Sequence, residues 1–269
     1  MSIMKISYVF FGSESPFSIL VMNELEAAGF IPTLIITDAS KKISLKELQE
    51  KAPAGGWDVF IVASYGQIIP EAILNLPKHG SLNVHPSLLP KYRGPSPLQS
   101  AILADDSTTG VSIMLMDKDV DHGPLIAQEK VTVSAWPPSY QKMEIKLGGI
   151  GGNILAKILP EWLAGKIPAE PQNHALATFT KKITKNDGEL AFDPAKKFLA
   201  GDPYQNFLKI QAFSHWPKAH FFIERKGRRQ RIIITEVDYS DEKRTFLIER
   251  VIPEGKQEMN WPDFAKGYL

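Results

Sequence analysis

The sequence predicts an α/β protein: a doubly wound, mostly parallel sheet over the first two thirds of the chain, followed by a small antiparallel β-barrel domain. Three observations carry this expectation. Short apolar runs alternate with stretches of helical period from Ile6 to Leu163, the pattern of successive βαβ units. After Gly165 the period lapses into a polar, proline-bearing segment. Beyond it lie short runs of β-like composition separated by turn residues.

The elements follow in order. Ile6 to Phe11 is an apolar run ending at Gly12, as in a strand buried on both faces. Pro16 suits the first turn of a helix, and Phe17, Leu20, Val21 and Leu25 keep helical spacing until Gly29 stops it. A second strand covers Thr33 to Ile36, and Ser44 with Glu47 has the spacing of a capping box opening a short helix. Val59 to Ala63 reads as a third buried strand, Glu71 to Asn75 as a short helix behind Pro70, and Leu82 to His85 as a fourth strand. A helix over Leu98 to Leu103, strands over Val111 to Met116 and Leu125 to Val133, and a long helix over Tyr140 to Leu163 complete the first part. The second part reads as a helix from Pro194 to Phe213 and strands at His220 to Glu224, Arg231 to Val237 and Phe246 to Val251. The expected domains are therefore 1–170, a linker at 171–186, and the barrel at 187–269.

With 269 residues, 43% hydrophobic and 23% charged, the chain can bury a full core. It has no cysteine, which excludes disulfides, thiolate metal sites and a cysteine nucleophile, and fits a cytoplasmic protein. The apolar start is too short for a membrane span and lacks a cleavage site, so a first strand is expected there and no membrane partner. Net charge is +1, but it divides unevenly: the chain is net basic by four from Lys181 onward and net acidic by three before it. A basic second domain hints at a polyanion, although a solvated surface explains it as well.

The chemistry concentrates in two stretches. In a strand, residues two apart share a face, so Asn83 and His85 project together at the end of a central strand, where open α/β sheets bind ligands. Pro86 ends the strand. An amide donor beside an imidazole suits acyl chemistry, the first for a developing oxyanion and the second for proton transfer. "DKDVDHGPL" (117–125) closes the next strand with three acids in five residues, and a carboxylate there would orient the imidazole, provided neighbouring parallel strands end on one edge. Asp117 reads as a solvated turn residue and His122 as a loop residue. Six histidines without paired spacing give no metal site. "LGGIGGN" (147–153) reads as close helix packing, and "ERKGRRQR" (224–231) as a basic hairpin tip around Gly227.

"NVHPSLLPKYRG" followed by "GVSIMLMDKDVDHGPL" resembles the folate-dependent formyltransferases, and among them the branch that acts on initiator methionyl-tRNA. The resemblance implies a Rossmann-like formyltransferase fold with an OB-like barrel, and a triad of Asn83, His85 and Asp121. "ASYGQIIP" is similar to the family's pterin-pocket loop, implying folate contacts at Ala63, Tyr65, Gly66 and Ile68. "SLLP" is similar to its folate-contacting turn, implying contacts at Ser87, Leu88, Leu89 and Pro90. "TFTKKITKNDGELAFD" and "IQAFSHWPKAHFF" extend the similarity into the linker and second domain. The implied activity is a one-carbon transfer in translation initiation: the formyl group of 10-formyltetrahydrofolate passes to methionyl-tRNA on a monomeric, metal-free enzyme. A basic insertion usual in that branch is missing between Ile36 and Val59, with Lys41 and Lys42 near where it would stand. A sugar-nucleotide N-formyltransferase and a 10-formyltetrahydrofolate hydrolase therefore stay open as alternatives.

Overall fold

A computed structural model of the chain describes residues 6–37, 44–240, 242–243 and 245–269. Lys41 and Lys42 lie outside the described residues. The chain forms two compact units. The first takes Met1–Pro97, Thr108–Val133 and Lys142–Lys181; the second takes Leu98–Ser107, Ser134–Gln141 and Lys182–Leu269.

In chain order the elements begin with β1 (Tyr8–Phe11), α1 (Pro16–Ala27), β2 (Leu34–Ile36), α2 (Leu45–Glu50), β3 (Val59–Val62), α3 (Glu71–Leu74) and β4 (Ser81–His85). There follow α4 (Pro97–Leu103), β5 (Thr108–Leu115), β6 (Leu125–Thr132) and α5 (Tyr140–Leu163). Pro16 takes the first turn of α1 as the sequence predicts, beside an N-cap at Ser15 whose side chain accepts from Ser18 N, and Ser44 caps α2 by accepting from Glu47 N.

The first unit is built on a six-stranded sheet in the order β2-β1-β3-β4-β5-β6. The β2, β1, β3 and β4 strands pair in parallel, as expected of apolar runs buried on both faces. β5 and β6 depart from that pattern. β5 runs antiparallel to β4, and β6 antiparallel to β5. One face of the sheet packs Val9, Phe11, Phe60 and Val62 against Leu48, Trp57, Ile73 and Leu74. Against the other lie α1 and α5, and the glycines of α5 allow close approach. A Cβ on Gly151 would sit 2.6 Å from Val84 of β4, and one on Gly148 would sit 3.0 Å from the Phe17 backbone of α1. Close packing is thus the role of "LGGIGGN". Because Val84 faces α5, its neighbours Asn83 and His85 face the opposite side, where Asn83 stands level with Val62 and Met114.

The second unit contains β7 (Phe192–Asp193), β8 (Phe198–Leu199), α6 (Pro203–Ala212), β9 (His220–Arg225), β10 (Arg228–Ser240), β11 (Thr245–Pro253), β12 (Met259–Asn260) and α7 (Trp261–Tyr268). β7 and β8 form a two-stranded ladder where the sequence suggests the start of a helix. The Asp193 carboxylate accepts from Ala195 N and Lys196 N, which closes a turn. Helix α6 starts only where Asp202 caps Gln205 N and Pro203 takes the first turn. The unit is the expected antiparallel β domain, its four-stranded sheet running in the open order β12-β11-β10-β9. Phe207, Phe221, Phe246 and Phe264 fill its core. The β9–β10 hairpin turns at Lys226 and Gly227, both at positive φ, with Arg225 paired to Arg228. That is the basic tip read from the sequence.

Candidate active site

β4 delivers Asn83 and His85 to one face, and the two loops that follow β4 and β5 close over them. His85 is buried, at 4% exposure. Its Nε2 lies 3.0 Å from the Tyr92 carbonyl, an acceptor, so the proton belongs on Nε2. Its Nδ1 faces Asp121 Oδ1 at 3.5 Å. Asn83 Nδ2 donates to the same Oδ1 at 3.2 Å, and Gly94 N donates to Oδ2 at 2.7 Å. One carboxylate thereby gathers Asn83, His85 and the 92–94 loop. Asn83 uses one amide N–H on Asp121 and has a second to offer.

Asp121 arrives by a different route from the one the sequence suggests. Because β5 is antiparallel to β4, the loop after β5 leaves from the start of β4, with Leu115 level with Leu82. It reaches Asn83 and His85 by doubling back: Leu115 N donates to Pro124 O, and Gly123 packs directly on the Leu115 carbonyl, leaving no room for a Cβ. Asp121 takes a φ of +49°, a left-handed conformation that costs a non-glycine residue about 1 kcal/mol.

The "SLLP" turn is held from beneath by β5 and β6. Ser112 Oγ donates to Ser87 O at 2.7 Å and accepts from Leu89 N at 3.1 Å. Gln128 Nε2 donates to Leu89 O at 2.9 Å and to Ser112 Oγ at 2.8 Å. Ser87 Oγ donates to Lys91 O. Ser87 and Leu89 are consequently buried, while Leu88 and Pro90 are half-buried. In the 63–70 loop Ala63 and Tyr65 are buried, Gly66 is exposed, and Ile68 leaves 84% of its surface open. Ile68 is the large apolar side chain of that loop that stays exposed.

His122 and Asp117 are more engaged than the sequence suggests. His122 Nδ1 donates to Asp117 Oδ2 at 2.7 Å, and its ring stacks on His174 at 4.2 Å between centroids. Asp117, Asp119 and His122 bring their ligand atoms within 4.8 Å of one another, the one such His/Asp group among the described residues.

The contributions of Tyr92 O and Gly94 N escape the sequence because every residue carries these backbone groups. Ser112 and Gln128 had a readable signal: polar residues on neighbouring strands beside the one that bears His85. Arg93, inside "KYRG", is 3% exposed. A buried arginine demands partners, and those come from the linker.

Known proteins share this architecture. The sequence profile of the formyl transferase family, described as "Formyl transferase", matches residues 21–159. The chain is 39% identical over 186 residues to a methionyl-tRNA formyltransferase of Chloroflexus aurantiacus, covering 68% of this chain but 56% of that protein. It is 35% identical over 231 residues to one of Dictyoglomus thermophilum, covering 78% and 72%. In fold it resembles the methionyl-tRNA formyltransferase from Clostridium thermocellum, with a TM-score of 0.64 at 16% identity over 95% and 100% of the two chains. It also resembles HypX from Aquifex aeolicus in complex with tetrahydrofolic acid, with a TM-score of 0.72 at 14% identity over 98% and 48%.

Proposed function

The chain belongs to the formyl transferase family, and from that premise we propose that it transfers the formyl group of 10-formyltetrahydrofolate to the free α-amino group of initiator methionyl-tRNA. The observation that carries this reading is the convergence of Asn83, His85 and Asp121 on one face of β4. The tRNA acceptor rests on the named relatives, and the folate donor on the complex of the Aquifex neighbour with tetrahydrofolic acid.

The residues divide the chemistry. The acceptor's amine attacks the formyl carbon, and negative charge develops on the formyl oxygen. The second Asn83 N–H is the donor suited to that oxygen, and it is preorganised because the first is anchored on Asp121. His85 takes the proton released from the attacking amine and returns one to N10 of the folate as tetrahydrofolate leaves. A cationic ring is accommodated here, since Nε2–H meets the Tyr92 carbonyl and Nδ1 faces the Asp121 carboxylate. The C–N bond to the folate breaks as the new amide forms, with no covalent enzyme intermediate. Ile68 and the fixed "SLLP" turn are the proposed apolar and backbone contacts for the pterin.

The test supplies 10-formyltetrahydrofolate with either charged initiator tRNA or an amino-sugar nucleotide and measures the formylated product. Formylmethionyl-tRNA as the faster product supports the reading. A faster sugar product replaces the acceptor, and formate release without any acceptor replaces the transferase with a hydrolase.

A further inference from the structure

Gln172 lies in the irregular segment after α5, 51 residues beyond Asp121, and is 5% exposed. Its Oε1 accepts from Arg93 Nε at 3.2 Å and Nη2 at 2.7 Å. Its Nε2 donates to Asp121 O at 3.0 Å and to Gly123 O at 2.7 Å. The amide orientation is fixed by chemistry, because a guanidinium can only donate and the atom facing it must be the oxygen. All four positions of the amide are used. Arg93 Nη2 also donates to His174 Nδ1 at 2.9 Å, and the guanidinium lies 5.9 Å from the Phe179 ring.

Two adjacent residues therefore hold Asp121 at two points. Gly94 N binds its carboxylate, and the Arg93 side chain reaches its backbone through Gln172. The platform beneath Gln172 is itself anchored. Glu170 and Leu125 exchange two backbone hydrogen bonds of 2.8 Å, while Arg93 N donates to Thr178 O and Thr180 N to Arg93 O. What this clamp secures is a backbone at +49° φ that does not favour its own conformation.

We propose that Gln172, braced by Arg93, is a positioning residue for the transfer: its two N–H donors hold the 121–123 backbone so that Asp121 presents its carboxylate to Asn83, His85 and Gly94. The inference rests on the reading of Asp121 as part of the reaction.

Gln172→Glu separates positioning from simple satisfaction of Arg93. The glutamate keeps an acceptor for the guanidinium, as an ion pair, but loses both donors to the loop. This variant should fold, with a thermal midpoint below the parent's, because its second carboxylate oxygen meets the Asp121 and Gly123 carbonyls. Its kcat should fall by roughly 10- to 10²-fold, with KM for 10-formyltetrahydrofolate changing by less than about twofold, as for a group misplaced by a fraction of an ångström. Amide exchange at Gly94, which reads the carboxylate's position directly, should rise about tenfold while exchange in β1 and β3 stays unchanged. Gln172→Met, with neither donor nor acceptor, should move kcat and Gly94 exchange in the same direction. Parental kcat and parental Gly94 exchange in Gln172→Glu overturn the proposal. So does failure of Gln172→Glu to fold, which makes the side chain part of the fold instead. Asp121→Asn is measured alongside. If it turns over normally, the reading of Asp121 falls, and Gly94 exchange still decides whether Gln172 sets the loop.

Discussion

Asn83 and His85 stand two apart on β4, and their shared face is the part of the site most legible in the sequence, because strand periodicity alone aligns them. Their partners were less legible. The imidazole is held by the carbonyl of Tyr92, and the carboxylate by the amide of Gly94, groups that no residue type announces. Removing a side chain should therefore separate chemistry from scaffold. Asn83→Ala should lower kcat by roughly 10²–10³-fold if its free N–H serves the oxyanion. His85→Ala should lower it by roughly 10²–10⁴-fold through loss of proton transfer. Circular dichroism should show both variants folded, since the loop anchors at Ser112 and Gln128 remain. A His85→Ala enzyme turning over at the parental rate would remove the ring from the mechanism.

Among the elements, the reversal of β5 matters most. Apolar runs buried on both faces read alike whether parallel or antiparallel, and the connection after α4 is too short to signal direction. The sequence consequently placed the acidic loop near His85 for the wrong reason, strands ending together on one edge. The loop arrives by folding back over the face, and Gly123 is the residue that permits it. Gly123→Ala should push the loop off the Leu115 carbonyl. It should destabilise the fold by about 1–3 kcal/mol and depress turnover together, a pairing that denaturant titration and initial rates can establish. In the second unit, β9 opens on His220, which is 4% exposed. Burial, and then the neighbouring Arg231, hold its pKa below the ordinary value, against an opposing hydrogen bond to Lys218 O. The folded state keeps this ring neutral while the unfolded chain protonates it near pH 6.5. The associated stability is complete above that value and is lost as pH falls through the depressed folded pKa. Denaturant midpoints taken at about pH 7.5 and about pH 5.5 should drop more for the parent than for His220→Gln.

Across the whole molecule, the α/β class and the β-rich second unit were readable from period and composition. The partition of α4 and residues 134–141 into the second unit was not, because that grouping depends on neighbours distant in sequence. Charge is also a property of the whole, and the structure sorts which cations are available to a polyanion. Arg229 is committed to Glu189 and the Phe222 ring, Arg225 to Gly267 O and the Tyr268 ring, and Arg231 to Pro217 O. Lys226 and Arg228 sit exposed at the hairpin tip. Reversing Lys226 and Arg228 to Glu should weaken tRNA binding and flatten its dependence on log salt by roughly 0.7–0.9 for each phosphate that is no longer neutralised. Folate affinity should not change, and an unaltered salt slope would remove the hairpin tip from the proposed tRNA contact.

The stretch from Glu170 to Thr180 has only a single 3₁₀ turn at His174–Leu176 and no long strand to recommend it, yet it is stitched to Leu125, Asp121, Gly123 and residues 92–93. For anyone grafting a different second unit onto this scaffold, or for gene fusion doing the same over generations, the workable joint is set by those stitches. A crossover at the end of α5 would bring in a foreign segment and lose the mould around Asp121. One placed after Lys181 would keep those stitches, but residues 98–107 and 134–141 group with the second unit and would have to be exchanged with it.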